Sequence, residues 1–432
     1  MSPLATLQVR APAGYAGNFP RFGQPKEVAC FSRDATRRVT YDRSALRPYR
    51  PARLPARLDD GFETYVPRQS SRTAEPAPLA DMLGALAHKR IATGAGDVSI
   101  VTYRNNLNKL FLTPYCLRDD WEIGVERRAD GVVLLNVRET ARKIAEEASR
   151  DERSARMAYW GYKFEQLSTL DDAEAAAQGV QSPQPSGGAS AAAYRVPSPS
   201  DPGSYDHLFS PEQLAAVRTQ YGAAPSAAGS GASASASGTR LPPVNANEEF
   251  CSIVLLTIEK VKVLMAAEID CVAERGGGAA PGQPVGSGYV ELKTTKQQRT
   301  PHDVEVFEKH KLLKFWLQSF LANVPSVIVG LRDESGNVTE LKTYETKTIH
   351  RIVRPRGYWD PTACFNFGKA ALEWLLAQME AHAPRGTAAR FIMRYDPAAA
   401  AVLLLPDDSP GPAANESADT TAAAGAKRQR SD

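Results

Sequence analysis

The sequence of 432 residues is poor in cysteine and histidine and lacks long apolar runs. Its five cysteines are scattered and form no CxxC pair, which predicts reduced thiols in an intracellular protein rather than a disulfide scaffold. Its six histidines show no HxH or HExxH spacing, so the common zinc hydrolase ligand sets are excluded. No apolar stretch approaches the ~18 residues of a membrane span, and the amino terminus lacks a secretory pattern. We therefore expect neither a membrane protein nor a secreted one.

The charge is almost balanced over the whole chain, with 52 Lys and Arg against 49 Asp and Glu. The net charge of +3 is too small for a histone-like polycation, and 43% hydrophobic residues fit a globular protein. The first 60 residues differ, because they carry 11 basic and 5 acidic side chains. Such an Arg-rich segment either lines an anionic groove or forms an ordinary solvated surface.

Composition divides the chain into one folded domain, an insertion and a tail. Between residues 223 and 239, 16 of 17 residues are Ala, Ser, Gly or Pro, and such a tract cannot bury enough apolar surface to fold. We predict a flexible low-complexity insertion over residues 171–247, with a short helix after Pro211, and a disordered tail over 406–432. The basic end of the tail, Lys427 to Arg430, is either a nuclear import signal or a solvated cluster. The predicted single domain spans residues 1–405.

The rest of the sequence alternates strand and helix patterns. β-Branched and apolar runs predict strands at 98–103, 132–137, 253–258, 261–272, 289–295 and 327–331. Helical spacing predicts helices at 139–150, 303–324 and 368–382. This mixture predicts an α+β fold built on a largely antiparallel or mixed sheet.

Three carboxylates and a lysine lie close together between residues 265 and 295. Strand alternation places Glu268 with Asp270 on one face, and Glu291 with Lys293 on one face of the next strand. A hairpin would bring all four into one patch, although its register stays open. Clustered carboxylates repel one another unless a cation lies among them, and oxygen ligands favour Mg²⁺ or Mn²⁺. The pattern is typical of PD-(D/E)XK nucleases, although exposed ExK pairs are also common in strands without a site.

Two further segments place polar residues beside apolar ones. Glu165 ends the aromatic run 159–164, where it is either a site residue or a surface glutamate. In the helix at 303–324, Lys311, Lys314 and Gln318 share one stripe opposite an apolar face. This stripe is either solvated or directed at a phosphate through Gln318.

Together these elements resemble the decapping and exoribonuclease (DXO) family, which includes the fungal nuclear partner of a 5′→3′ exoribonuclease. The resemblance covers nearly the whole chain outside the insertion and the tail. The matching motifs occur in family order: NFP (18–20), EVACFS (27–32), VTYR (101–104), TPY (113–115), GYKFE (161–165), NEEFCS (247–252), EID (268–270), YVELKT (289–294), KLLKFWLQSFL (311–321) and VGLR (329–332).

The resemblance implies a catalytic set and a substrate site. The metal ligands would be Glu165, Glu268, Asp270, Glu291 and the backbone carbonyl of Leu292, holding one or two Mg²⁺ or Mn²⁺ ions. Lys293 and Gln318 would hold the scissile phosphate, so the catalytic residues are Glu268, Asp270, Glu291 and Lys293. The RNA 5′ end would contact Arg37, Tyr103, Arg104, Asn105 and Cys251.

Three positions depart from the family pattern. Tyr103-Arg104-Asn105 stands where Trp-Arg-Gly is common, which would alter how the RNA end lies against the backbone. Ala267 replaces a glycine before the Glu-x-Asp motif, a change we expect to be tolerated. The acidic residue often found at the start of the helix near 78–88 has no clear match.

The implied fold is a mixed two-sheet α+β core with flanking helices and a PD-(D/E)XK-like hairpin. The implied function is metal-dependent hydrolysis at RNA 5′ ends: pyrophosphate release from 5′-triphosphate RNA, removal of incompletely methylated caps and NAD caps, and in some members 5′→3′ degradation. The implied location is the nucleus, with or without the cytoplasm, and the implied partners are such RNAs and a nuclear exoribonuclease. Two alternatives remain open: a noncatalytic stabiliser of that exoribonuclease, and a DNA endonuclease.

Overall fold

Two mixed β-sheets and several helices make up the computed structural model, which describes residues 2–68, 79–94, 96–169, 241–273 and 288–407. The predicted short helix after Pro211, most of the predicted insertion and the tail beyond Asp407 lie outside these residues. Within the described ranges, no helix is long and apolar enough to cross a membrane. All five cysteines are free thiols, as the sequence predicts.

The first sheet has ten strands in the order β1-β16-β15-β7-β8-β6-β10-β9-β2-β3. Most neighbours are antiparallel, but β6 pairs in parallel with both β8 and β10. The strands are β1 (Ala5–Gln8), β2 (Phe22–Arg33), β3 (Val39–Thr40), β6 (Ile100–Tyr103), β7 (Trp121–Arg127), β8 (Val133–Arg138), β9 (Glu249–Ile258), β10 (Val261–Glu268), β15 (Ala389–Asp396) and β16 (Ala401–Pro406).

The second sheet has six strands in the order β4-β11-β12-β13-β14-β5. Its central pair, β12 and β13, is parallel, whereas β11 and β12 form the predicted antiparallel hairpin. The strands are β4 (Pro48–Tyr49), β5 (Ala56–Arg57), β11 (Cys271–Ala273), β12 (Tyr289–Lys296), β13 (Ser326–Arg332) and β14 (Asn337–Glu345).

The helices begin where the sequence provides caps. Asp151 accepts a hydrogen bond from the Ser154 backbone at the start of α4, and Thr300 forms a capping box with Asp303 at the start of α5. The helices are α1 (Ala80–His88), α2 (Arg104–Leu112), α3 (Ala141–Ala148), α4 (Glu152–Leu167), α5 (Pro301–Val306), α6 (Leu312–Leu321), α7 (Ile349–Val353) and α8 (Pro361–His382).

Three hydrophobic clusters place the helices around the sheets. The largest joins both sheets with α2, α6 and α8. A second packs α1 against the opposite face of the first sheet. A third packs α4, through Tyr159, Trp160 and Phe164, against the opposite face of the second sheet. Strand β12, which carries Glu291 and Lys293, therefore lies between α4 on one face and the layer that contains α2 and α6 on the other.

Three sequence predictions need correction. The strand at 261–272 is two strands, β10 and β11, because the chain leaves the first sheet at Ile269–Asp270 and joins the second. The helix at 303–324 contains α5, a π-turn at Phe307–Lys311 and α6. Residues 241–247, assigned to the insertion, are partly packed: Val244 is buried and its carbonyl accepts from the Val66 backbone at 2.9 Å.

Candidate active site

The candidate site lies at one edge of the first sheet, where four neighbouring strands begin or end. Strand β10 ends at Glu268, which is directly opposite Cys251 at the start of β9. The parallel strand β6 ends at Tyr103, opposite Ala266. On the other side of β9, strand β2 ends with Arg33 opposite Glu249. The strand directions thus bring acidic and basic side chains to the same edge.

Asp270 lies where the chain crosses from the first sheet to the second, and a hydrogen bond fixes it against β12. Its Oδ2 accepts a hydrogen bond from the Leu292 backbone N–H at 2.6 Å. Hairpin pairing between β11 and β12 ends at Cys271 and Val290, so β12 continues past its partner. In a strand, the N–H and C=O of one residue point to the same side. The Leu292 carbonyl is therefore directed to the side on which Asp270 lies, as a backbone metal ligand requires.

Glu291 is the most deeply buried carboxylate of the site, with 1% of its side chain exposed. It bonds to Lys293 and to the Gln318 side chain, and it pairs with Arg104 at 3.3 Å. Arg104 also donates to the Gln318 carbonyl at 3.5 Å. Strand β12, helix α2 and helix α6 thereby converge on a single buried carboxylate.

The environment of Glu165 and Asp270 disfavours the ionised form of both carboxylates. Burial, together with the neighbouring Asp270 and Glu268, raises the pKa of Glu165 well above its usual value. Burial and the Glu291 carboxylate raise the pKa of Asp270 to about 7. Helix α4, the end of β10 and strand β12 therefore bring four carboxylates close enough to act on one another electrostatically. They are those of Glu165, Glu268, Asp270 and Glu291.

For the neighbouring Lys293, nearby charges outweigh the effect of burial on the pKa. Burial acts to lower the pKa of Lys293, but Glu291 and Asp270 outweigh it, so the pKa lies above its usual value. Burial likewise acts to raise the pKa of Glu291, but Lys293 and Arg104 lower it below its usual value. Lys293 is therefore a fixed positive charge at neutral pH, beside a carboxylate that stays ionised.

The carboxylates are turned to nearby donors rather than to one shared point. Asp270 accepts from the Leu292 backbone, Glu291 bonds its cationic neighbours, and Glu268 pairs with Arg68 at 3.2 Å. As a result, no three acidic, His or Cys side chains in the described part of the chain are placed to hold one metal ion. The predicted metal-ligand set stays a prediction, and binding requires these side chains to exchange their present donors for a cation.

The chemistry of the donor set nevertheless fits a hard divalent cation. The four side chains offer only oxygen atoms, which Mg²⁺ and Mn²⁺ prefer over zinc-type nitrogen and sulfur sets. The raised pKa values of Glu165 and Asp270 indicate negative charge that the surrounding cations do not fully compensate. A divalent ion would supply this compensation, and its binding would release the protons that these groups retain.

The residues predicted to contact RNA lie around the same edge. Tyr103 is half-buried and its hydroxyl accepts from Arg33 at 3.4 Å, whereas Asn105 is exposed at the start of α2. Arg37 is half-buried in a left-handed turn, with φ of 65°, and its buried Nη1 has no hydrogen-bond partner among the described residues. Burial, Arg33 and a further arginine lower the pKa of Arg37. These positions are compatible with an anion-binding role, which stays a prediction.

Cys251 is a wall residue rather than a nucleophile. Only 3% of it is exposed, and it packs in the cluster beneath α1. Burial and the facing Glu268 raise the pKa of Cys251 to about 12, so its thiol stays protonated at neutral pH.

The predicted stripe on α6 is divided between two environments. Gln318 reaches Glu291, and Lys311 donates to the Thr295 hydroxyl at 2.7 Å, so both face β12. Lys314 is exposed and lies within electrostatic range of Cys116 instead. Three residues of helix leave Lys314 ~60° around the axis from Lys311, which turns it toward solvent.

Sequence reasoning missed a chain of ion pairs beside the site. Arg33 pairs with Asp81 at 2.6 Å and with Glu249, and Arg68 pairs with Glu249 and Glu268. Asp81 lies in the first turn of α1, so the helix near 78–88 does begin with an acidic residue, and the expectation that it has no clear match there needs correction. The pairing of β2 with β9 carries the missing signal, since it sets Arg33 opposite Glu249.

The chain is similar to known proteins over most of its length. Residues 23–190 and 221–419 match the family described as RAI1 like PD-(D/E)XK nuclease. The chain is similar to the human decapping and exoribonuclease protein, with 31% identity covering 87% of this chain and 80% of that protein. Together with the two-sheet architecture, the family match confirms the predicted α+β fold of PD-(D/E)XK type.

Solved structures have the same fold. Rai1 of Scheffersomyces stipitis, in complex with (3′-NADP)⁺ and calcium ion, has a TM-score of 0.65 and 23% identity, covering 95% of this chain and 94% of that one. Rai1 of Candida albicans, in complex with pU5-Mn²⁺, has a TM-score of 0.63 and 20% identity, covering 91% and 92%. At such identities the likeness establishes the fold.

Proposed function

This chain belongs to the RAI1-like PD-(D/E)XK nuclease family, and from that premise we propose that it hydrolyses phosphate linkages at the 5′ ends of RNA with divalent cations. The observation that carries the proposal is the convergence of Asp270, Leu292 and Lys293 beside the buried Glu291 and the half-buried Glu165. The similar human protein is named for decapping and exoribonuclease activity, which supports RNA rather than DNA as the substrate.

Each residue of the site has a definable task in this hydrolysis. Bound Mg²⁺ or Mn²⁺ would activate water and offset charge on the phosphate oxygens. Its ligands would be Glu165, Glu268, Asp270, Glu291 and the Leu292 carbonyl. Lys293 presents a permanently charged ammonium to the scissile phosphate and stabilises the negative charge that develops there. Gln318 orients Glu291 and lies close enough to donate to the same phosphate.

The arginines at the sheet edge favour a substrate with several 5′ phosphates. Arg104 lies against Glu291, and Arg37 carries a buried donor without a partner within the described ranges. The family resemblance implies three classes of such substrate, which we include in the proposal: 5′-triphosphate RNA, RNA with an incompletely methylated cap, and RNA with an NAD cap. Hydrolysis of the RNA body in the 5′→3′ direction and association with a nuclear 5′→3′ exoribonuclease are part of the same proposal.

Product analysis with defined RNA ends tests the proposal. The purified protein is incubated with Mg²⁺ or Mn²⁺ and RNAs bearing monophosphate, triphosphate, unmethylated cap or NAD ends. We expect pyrophosphate, cap dinucleotide or NAD-derived products, all lost with EDTA. Glu268→Gln and Asp270→Asn should each lower the rate by ~10²-fold or more, whereas Glu340→Gln, an exposed carboxylate on β14, should not.

The same experiment separates the alternatives. A folded Glu268→Gln variant with the parent's activity would refute the site assignment. A parent protein that leaves every RNA end intact but prolongs the activity of a nuclear exoribonuclease would favour the noncatalytic role. Preferential cleavage of duplex DNA would favour a DNA endonuclease.

We also propose that the protein is located in the nucleus, on the basis of the basic end of its tail. A fluorescent fusion of the full chain should accumulate in nuclei. Replacing Lys427, Arg428 and Arg430 by Ala should shift it toward the cytoplasm, and an unchanged distribution would contradict the role of this cluster.

A further inference from the structure

Lys311 is a half-buried cation that the proposed hydrolysis does not use. Its Nζ donates to Thr295 Oγ1 at 2.7 Å, and Thr295 is almost completely buried. Thr295 follows Lys293 by two residues in β12, so both side chains leave the same face of the strand, ~7 Å apart along it. The sequence therefore places a second ammonium beside the first on the catalytic face.

Among the described residues, no carboxylate pairs with Lys311, and burial together with Arg332 lowers the pKa of Lys311. The Arg332 guanidinium lies over the Trp160 ring at 4.5 Å, and its Nε is buried without a hydrogen-bond partner in the described part of the chain. Arg332 is partly compensated, because it donates to the Asp333 carbonyl at 3.1 Å and the Glu334 and Asp333 carboxylates act on it. Lys311 is therefore the cation that an anion would stabilise.

Helix α6 connects Lys311, which directly precedes it, to the site residue Gln318. A π-turn ends at Lys311, and Gln318 follows two helical turns later and bonds Glu291. The ~10 Å between these helix positions nearly matches the ~13 Å from Glu291 to Thr295 along β12. Along β12, Lys293 therefore lies midway between Glu291, which bonds Gln318, and Thr295, which bonds Lys311.

The contacts follow one another in a fixed order along β12. The predicted contacts of the RNA 5′ end, led by Arg104, lie at the Glu291 end. Lys311 lies on the far side of Lys293 from them. A single-stranded RNA with its 5′ end near Arg104 would therefore pass Lys293 and continue toward Lys311, and successive cations of this kind follow the phosphates of single strands.

We propose that Lys311, anchored by Thr295, binds a backbone phosphate of the RNA body downstream of the scissile linkage. This subsite rests on the proposed function and deepens it. It extends the protein's contacts with the RNA beyond the scissile linkage. The contact is electrostatic, so it contributes affinity without base specificity.

Substrates with one neutral linkage test the contact directly. The steady-state KM is measured for 5′-triphosphate decanucleotides that carry a single methylphosphonate at the first, second or third internucleotide position. In the parent, the neutral linkage at one of these positions should raise KM about fivefold. Lys311→Gln should raise KM similarly for the unmodified RNA, leave kcat unchanged, and abolish sensitivity at that one position.

Salt dependence and matched variants complete the test. The slope of log KM against log salt should fall by ~0.7 in Lys311→Gln, as expected for one lost contact to a single strand. Lys311→Arg should retain the parent's position dependence, and so should Lys342→Gln, an exposed lysine on β14. Thermal unfolding midpoints of all variants identify any loss of folded protein.

The outcomes distinguish this subsite from the function on which it rests. If the parent hydrolyses the RNA but Lys311→Gln keeps the same sensitivity at every position, the subsite is wrong and the function stands. If Lys311→Gln lowers kcat on every substrate equally, Lys311 supports the fold of the site rather than the RNA, which also overturns the subsite. If the parent releases no product from unmodified RNA, the proposed function fails, and the subsite fails with it.

Discussion

Lys293 combines the features required of a phosphate-binding ammonium. It is next to the ionised Glu291, its pKa is raised by that carboxylate and Asp270 against the effect of burial, and 24% of its side chain remains exposed. A group with this balance is charged at every physiological pH and still accessible to a ligand. Its charge therefore acts mainly on the transition state, in which negative charge on the phosphate oxygens increases.

Replacing Lys293 by Gln should lower kcat on 5′-triphosphate RNA by ~10²–10³-fold, comparable with the loss of an oxyanion-stabilising donor. Initial rates at saturating RNA and Mn²⁺ measure the effect. Lys342→Gln, on the exposed part of β14, is the matched control. A rate within threefold of the parent would remove Lys293 from the catalytic set.

The raised pKa of Asp270 has a consequence for stability without metal. An unfolded aspartate has a pKa of about 4, whereas burial and Glu291 raise the folded value to about 7. Between these values the folded state binds more protons than the unfolded state. The stability of the metal-free protein should therefore fall as pH rises from about 4 to about 7.

Thermal unfolding in EDTA between pH 5 and pH 8 tests this linkage. We expect the parent's midpoint to decline across the window and that of Asp270→Asn to decline less, because the amide cannot lose a proton. The variant should therefore gain stability relative to the parent at pH 8. Parallel curves for the two proteins would show that Asp270 ionises normally in the fold.

At the scale of elements, the position of Glu165 depends on how closely α4 packs on β13. A Cβ at Gly330 would approach the Phe164 ring to 2.9 Å, and Phe164 precedes Glu165 in the helix. The glycine therefore permits α4 to lie close enough for Glu165 to join the cluster. A larger residue would push the helix away from the sheet.

Gly330→Ala should cost ~1–3 kcal/mol of unfolding free energy through overpacking and should also weaken Mn²⁺ binding. Denaturant unfolding and metal titration measure the two effects. Gly94→Ala is the control, because a Cβ there meets no atom within 4 Å among the described residues. Equal stability and metal affinity for both variants would contradict this account of the α4 contact.

Local sequence patterns predicted the strands whose residue pattern does not depend on a distant partner strand. The strands at 289–295 and 327–331 correspond to β12 and β13, because their β-branched residues fit a buried parallel pair. The run 261–272 is apolar apart from Lys262, Glu268 and Asp270, and it contains no Gly or Pro that would mark the change of sheet at Ile269–Asp270. That break is set by which partner strand is available on each side, which is a tertiary property.

The site was predictable to a similar extent. Spacing alone brought together Asp270, Glu291 and Lys293, since alternation and a hairpin require only local geometry. The family resemblance supplied Glu165 and Gln318, which come from helices far away in sequence. Arg68 and Asp81 were missed because their partners are set by the packing of separate segments onto the sheet edge.

On the scale of the whole molecule, a buried polar network ties the two sheets together next to the catalytic strand. The Glu27 carboxylate on β2 accepts from the Tyr289 hydroxyl and the Ser252 hydroxyl, each at 2.6 Å, and Arg43 bonds both Glu27 and Tyr289. Tyr289 begins β12, two residues before Glu291. The network thereby fixes the second sheet relative to the first at the point where the site requires both.

The proposed hydrolysis depends on one divalent-cation site whose ligands come from both sheets and from α4. The most direct test is calorimetric titration of the metal-free protein with Mn²⁺, without RNA. We predict saturable binding by the parent and by Glu340→Gln, with affinity reduced at least ~10-fold in Glu268→Gln and in Asp270→Asn. Binding of Mn²⁺ by both site variants with the parent's affinity would contradict it.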